Sequence, residues 1–105
     1  MNALRGEAAI VIDGVERTLR PSFDALVRAE EELGPLFALV ERAGDGQLRL
    51  AEIAGLFWHC LAERPGVVQD GLTREGVGEA VLAMGLAEAA RPLRVLLGEI
   101  LRGRG

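Results

Sequence analysis

The sequence predicts an α+β fold that is mostly helical, with an N-terminal β-hairpin followed by four to five short helices in one compact domain. Three observations predict it. A β-branched run meets an Asp-Gly pair within the first twenty residues. From Phe23 onward, apolar residues recur at helical spacing. Gly and Pro then break that spacing into separate segments. At 105 residues the chain has the length of one ordinary domain and buries enough surface to hold a core without staples.

The hairpin is assigned to residues 5–20. Residues 8–12 read Ala-Ala-Ile-Val-Ile, and Asp13-Gly14 supplies the turn, because Gly tolerates positive φ. Val15, Arg17 and Leu19 then alternate with Glu16, Thr18 and Arg20. Two such strands are not stable alone, so their apolar face must lie on helices.

The helical part is assigned to residues 22–102. Ser22 is a natural N-cap, with Asp24 in the favourable first turn. Phe23, Leu26, Val27 and Leu33 form the first stripe, and Gly34-Pro35 ends it. A second helix over residues 36–42 carries Leu36, Phe37, Leu39 and Val40, and Gly44-Asp45-Gly46 breaks it. The third, residues 50–63, is the most apolar. Leu50, Ile53, Ala54, Leu56, Phe57, Trp58, Cys60 and Leu61 occupy about 200° of its circumference, wider than a usual core stripe. Glu52, His59 and Glu63 lie opposite, and Arg64-Pro65-Gly66 stops it. After a loop over 67–71, Thr73 caps a fourth helix with Val77, Ala80, Val81 and Met84 inward, and Gly85 ends it. A last helix over 86–102 carries Leu93, Leu96, Leu97 and Ile100, widened by Leu101. Pro92 either kinks it or marks where its regular part begins. The tail, 103–105, is expected to fray.

Composition excludes several function classes. The twelve basic residues are all Arg and face sixteen acidic ones, for a net charge of −4. That balance argues against nucleic-acid binding, which needs a basic patch to displace counterions. Neither a polybasic segment nor a long apolar span points to a membrane. Residues 1–7 lack the apolar core of a secretory signal. Cys60 stands alone, so it makes no disulfide within the chain, and a reducing cytoplasm fits.

Catalytic material is thin: one His, one Cys, one Ser, two Thr and no Tyr. His59 and Cys60 are adjacent, so on a helix they point about 100° apart and do not face each other. Cys60 reads as a small core residue, and His59 as an exposed one beside Glu63. Gly44-Asp45-Gly46-Gln47 lacks the alternating oxygen ligands of a calcium loop. Glu30-Glu31-Glu32 reads as a solvated face rather than half of a carboxylate metal site. Gly76 and Gly78 precede no Lys-Ser or Lys-Thr, so no phosphate loop is present. Ser22 reads as a cap, not a prosthetic-arm attachment site. No catalytic residue, cofactor or metal ligand is assigned.

The wide face of the third helix is the one candidate site. If the helix is central, Ile53, Leu56, Phe57 and Trp58 are core. If one margin stays exposed, at Leu56 or Trp58, those four form a partner or self-association surface.

The order of motifs carries a resemblance. Gly6-Glu7, the β-run, Asp13-Gly14, Leu19-Arg20, Phe23-Asp24-Ala25-Leu26 and Glu30-Glu31-Glu32-Leu33-Gly34 resemble the start of the gene-transfer-agent family of small phage-tail proteins. Gly46-Gln47-Leu48, Glu52-Ile53-Ala54 and Leu56-Phe57-Trp58 resemble its middle helix. Gly71-Leu72-Thr73, Glu75-Gly76-Val77-Gly78, Gly85-Leu86 and the terminal helix continue the match.

The resemblance implies a non-enzymatic role in building a phage-like tail, in the bacterial cytoplasm or in phage-like particles. Members are similar to tail assembly chaperones, which coat the long helical tape-measure protein, and some are named tail tube proteins. The first expectation is therefore a chaperone that binds the tape-measure or another tail protein. A structural tube component is the alternative, which four or more strands would favour. A small ligand-binding or enzymatic domain is the third. A buried His59 facing Glu30 or Glu32 across a pocket would favour that reading.

Overall fold

The computed structural model describes residues 8–61 and 73–103. Expectations for residues 1–7, Glu63, the Arg64-Pro65-Gly66 stop, the 67–71 loop and residues 104–105 lie outside the described residues. The described chain runs β1 (Ala8–Ile12), β2 (Val15–Leu19), α1 (Phe23–Leu33), α2 (Leu36–Gly44), α3 (Leu50–Cys60), α4 (Arg74–Met84) and α5 (Leu86–Arg102). This is the predicted architecture, a two-stranded antiparallel hairpin followed by five helices.

The hairpin pairs Ile12 with Val15 across the turn, and Asp13 (φ 54°) and Gly14 (φ 80°) are both left-handed. Two consecutive positive-φ residues make the mirror-image turn that suits the strand twist, which is why Asp-Gly stands there. Ala8, Ile10, Ile12 and Leu19 are buried. Val15, expected on the same inward face, is half exposed. The reason is placement: β1 is the strand that packs on α4 and α5, and β2 lies outside it, reaching the core at Leu19.

Residue Leu61 is already extended (φ −61°, ψ 122°), so α3 stops at Cys60 rather than running to 63. Leu61 bridges Leu19, and the Arg20 N–H donates to the Cys60 carbonyl at 2.6 Å. The exit of α3 thereby covers the outer side of β2. Among the described residues β1 is left as the edge strand.

Both predicted caps are present. The Ser22 hydroxyl accepts from the Ala25 N–H at 3.1 Å, and the Thr73 hydroxyl accepts from the Gly76 N–H at 3.0 Å. Glu30, exposed as expected, adds a third: its carboxylate accepts the Leu36 N–H at 3.0 Å, at the start of α2. Glu52 accepts the Arg49 N–H at the start of α3 and pairs with Arg42 of α2 at 2.8 Å. Arg42, with the Arg49 amide second, holds the Glu52 carboxyl below its ordinary range. α2 itself runs two residues past its predicted end.

Helix α3 is central, packed on α1 along one side and α4 along the other. Phe57, Leu56, Leu96, Val77 and Val81 are the middle of the core. α1 meets α3 through Ala25 and Ala29, both buried, with Leu26 and Leu33 beside them. Phe23 and Val27 were expected in that stripe, but Phe23 is 86% exposed and Val27 is also outward. Small residues at i and i+4 let the two helices approach closely, so they take the contact line. Phe37 of α2 is likewise exposed. In α5, Ala89, Leu93, Leu96 and Leu97 are buried as a stripe with Ile100 beside it, while Leu101 is half exposed and Glu99 is buried. Pro92 lies inside one helical segment.

Candidate functional site

Among the described residues, three places carry polar or apolar groups beyond what the core needs. The first is the junction of α1, α3 and α4. His59 was expected on an exposed face beside Glu63. It is buried, and its Nε2 lies 2.8 Å from Oε1 of Glu32 on α1. The cause is simple: the polar stripe of α3 is the side on which α1 docks. A carboxylate only accepts, so the ring donates through Nε2. Its Nδ1 is buried without a hydrogen-bond partner among the described residues. Arg74, at the start of α4, pairs with the other oxygen of Glu32.

Gly55 makes room for this arrangement. A Cβ there would sit 2.5 Å from the Arg74 guanidinium and 3.4 Å from Leu33. Gly55 and His59 are one turn apart, so both face the α1–α4 seam. Arg74 first and His59 second hold the Glu32 carboxyl below its ordinary 4.5. Glu32 is exposed, as the sequence predicts, and is also the hub of an inter-helix ion cluster.

That cluster brings no nucleophile with it. Cys60 is buried, as expected, and its thiol is pushed up to about 12 by burial and, second, by the charge of Glu99. A thiol in that state is not an attacking group. No group of three or more potential metal ligands occurs among the described residues.

The second place is the face of α3. Leu56 and Phe57 are core residues, at 2% and 0% exposure. Ile53 and Trp58 are half-buried and pack against that core. Of the four residues singled out from sequence, these two are the ones that reach the surface.

The third place was missed from sequence. A groove of about 910 Å³ opens between the hairpin and the α4–α5 pair. Its floor is apolar and half-buried or buried: Ala9 and Ile10 of β1, Ala80 and Met84 of α4, and Pro92 of α5. Its rim is charged and exposed: Asp13, Glu16, Glu79, Glu88 and Arg91. It shares no residue with the His59 cluster. A buried His59 does face Glu32, as the enzymatic reading asked, but this groove lies elsewhere. The signals for it are dispersed over four segments, and none is a motif.

The described residues form a small helical domain with an ion cluster at one seam and an open apolar groove, and a fold of this kind does not by itself define a function. The family is shown directly. Residues 5–103 match the model of the family described as phage tail tube protein, GTA-gp10, and the chain belongs to that family, a gene-transfer-agent and phage-tail family. No curated protein and no solved structure matches the chain. None of the described helices is long and apolar enough to cross a membrane.

Proposed function

We propose that this chain is a non-enzymatic assembly protein for a phage-like tail, acting in the bacterial cytoplasm as a chaperone for a long helical tail protein of the tape-measure kind. One observation carries the reading. Among the described residues there is a single two-stranded hairpin, extended only by the Leu61 bridge. A tube subunit closes a ring through heterologous contacts, and an extensive sheet with free edges is the usual means of making them. The five helices and one hairpin of the described residues supply little of that, whereas a helical body with an open groove suits the capture of an amphipathic helix. The half-buried Ile53 and Trp58 offer a further apolar margin on α3, and Leu56 and Phe57 support it from beneath.

The second reading is a structural tube component, which the family's description favours. Co-expression with the tape-measure-like protein separates the two. Co-purification, with the partner soluble only when this chain is present, is the expected result. Stoichiometric presence in finished tails, or self-assembly into rings without the partner, overturns the chaperone reading in favour of the tube.

A further inference from the structure

We infer that the groove between the hairpin and the α4–α5 pair is a docking site for a basic amphipathic helix of a partner protein. The inference deepens the assembly reading and rests on it for the helical character of the partner; the site and its charge rule come from the groove itself.

Charge complementarity chooses the occupant. Four carboxylates and one guanidinium ring the groove. That guanidinium, Arg91, already sits 3.5 Å from Glu88. Asp13, Glu16 and Glu79 have no ion-pair partner among the described residues. A rim of this sign repels acidic segments and attracts Lys and Arg. The floor between the carboxylates is apolar, the anatomy of an interface with a dry centre and a polar margin.

The α4 wall argues for a helix rather than an extended strand. Gly76, Ala80 and Ala83 lie on one face at spacings of four and three residues. With side chains this small, a second helix can lie close along α4, over a length of about two turns. Met84 at the end of that wall is a flexible, polarizable side chain that moulds to its contact. The partner then places its apolar stripe over Ile10, Ala80 and Met84, and its Lys and Arg residues at Glu16 and Glu79.

The test uses the whole chain and three labelled peptides of about 14 residues, enough to cover the two turns that α4 lines with about one turn to spare at each end. One is Leu/Lys with its Leu residues at helical spacing. The second has the same pattern with Glu in place of Lys. The third has the Leu/Lys composition with Leu at every second position, which favours a strand. The first is expected to bind at least about tenfold more tightly than either other peptide. Ala83→Trp fills the groove from an exposed position, and the double variant Glu16→Arg/Glu79→Arg reverses its rim. Each is expected to weaken binding about tenfold with the melting temperature kept, while Glu31→Arg, an equal charge step per site on α1, changes it less than about twofold. Equal affinity for the Lys and Glu peptides, tighter binding of the period-two peptide, or groove variants that bind like the parent would each overturn the inference. A Glu31→Arg effect as large as that of the rim variant would do so too, since bulk charge would then explain the binding.

The two readings fail differently. If the tape-measure-like protein co-purifies equally well with the Ala83→Trp chain, the groove is the wrong site and the assembly reading stands. If it does not co-purify with the parent chain, yet the Lys peptide still discriminates as above, the groove is sound and the proposed partner is wrong.

Discussion

On the flank of α4 that meets α1 and α3, Arg74 pairs with Glu32, and Glu32 also holds the buried ring of His59. On the flank that meets the hairpin, Glu79 shares a rim with Asp13 and Glu16, and no cation is paired with any of the three among the described residues. The same helix thus uses charge inward on one side and presents it outward on the other. The first flank is a structural device: small residues at Gly55, Ala25 and Ala29 bring helices together, and an ion cluster closes the seam. The second carries like charges over apolar floor, which a stable fold does not need. That contrast is the reason to look for function at the groove and for stability at the seam.

The largest test removes the scaffold that separates the flanks. Phe57 is fully buried in the middle of α3. Phe57→Ala is expected to cost about 3–5 kcal/mol, the usual loss for a buried aromatic. Urea unfolding measures it. A loss below about 1 kcal/mol would mean that α3 is not the centre of the fold.

Gly55 gives the next largest effect and a contrast in sign. In Gly55→Leu the added atoms meet Leu33 and the Arg74 guanidinium, and overpacking of this kind costs about 1–3 kcal/mol. In Gly55→Ala only the end of a flexible Arg must move, and the gain in helix propensity, about 1 kcal/mol, offsets it. Thermal unfolding of the pair should therefore show a clear loss for Leu and a change near zero for Ala. A large loss for Ala would show that Arg74 cannot give way.

Much of the fold was legible because its signals are local. Asp13-Gly14, the Ser22 and Thr73 caps, the Gly34-Pro35 stop and the Leu93–Leu97 stripe each act within a few residues, and each was read correctly. The seam was not legible for the opposite reason. Glu32, His59 and Arg74 are 15 to 42 residues apart in sequence, and nothing near His59 says that α1 will dock on its polar side. Helix periodicity finds an amphipathic face but cannot tell a solvated polar stripe from one that meets charges on a neighbour. Ala25 and Ala29 were overlooked because Phe23 and Val27 look more apolar, although close helix approach favours the smaller side chains. Of the α3 candidates, the buried pair Leu56 and Phe57 and the half-buried pair Ile53 and Trp58 could be separated only once β1, α1 and α4 had positions.

Acid sensitivity is a smaller effect that belongs to the seam. The Glu32 carboxyl is held below its ordinary 4.5 by Arg74 and then His59. A lowered carboxyl contributes stability that is complete above the unfolded value and is lost as pH falls through the folded one. Glu32→Gln keeps an acceptor for His59 and removes the ionic part. Its side chain is 41% exposed, so screening keeps the loss at neutral pH below about 1 kcal/mol. Urea unfolding across acid pH should show the parent losing more stability than the variant as pH drops below about 4.5. Parallel curves would mean that the Arg74 pair is too solvated to matter.

The smallest effect has the opposite sign. Glu79 stands one turn after Glu75 on α4, a like-charge pair that costs about 0.2–0.5 kcal/mol on a helix. It lies beyond the first turn, where the helix dipole would favour a carboxylate. It also shares the groove rim with Asp13 and Glu16. Glu79→Gln should therefore raise stability by a few tenths of a kcal/mol at low ionic strength, about the size of that pair, and the gain should fade as salt is added. The comparison turns on the two glutamates measured side by side under the same conditions. Neutralising Glu32 lowers stability and neutralising Glu79 raises it, although Glu32 pairs with Arg74 of α4 and Glu79 stands on α4 itself. If both substitutions lowered stability, the groove carboxylates would be structural like Glu32 of the seam, and a basic partner there would lose its physical footing.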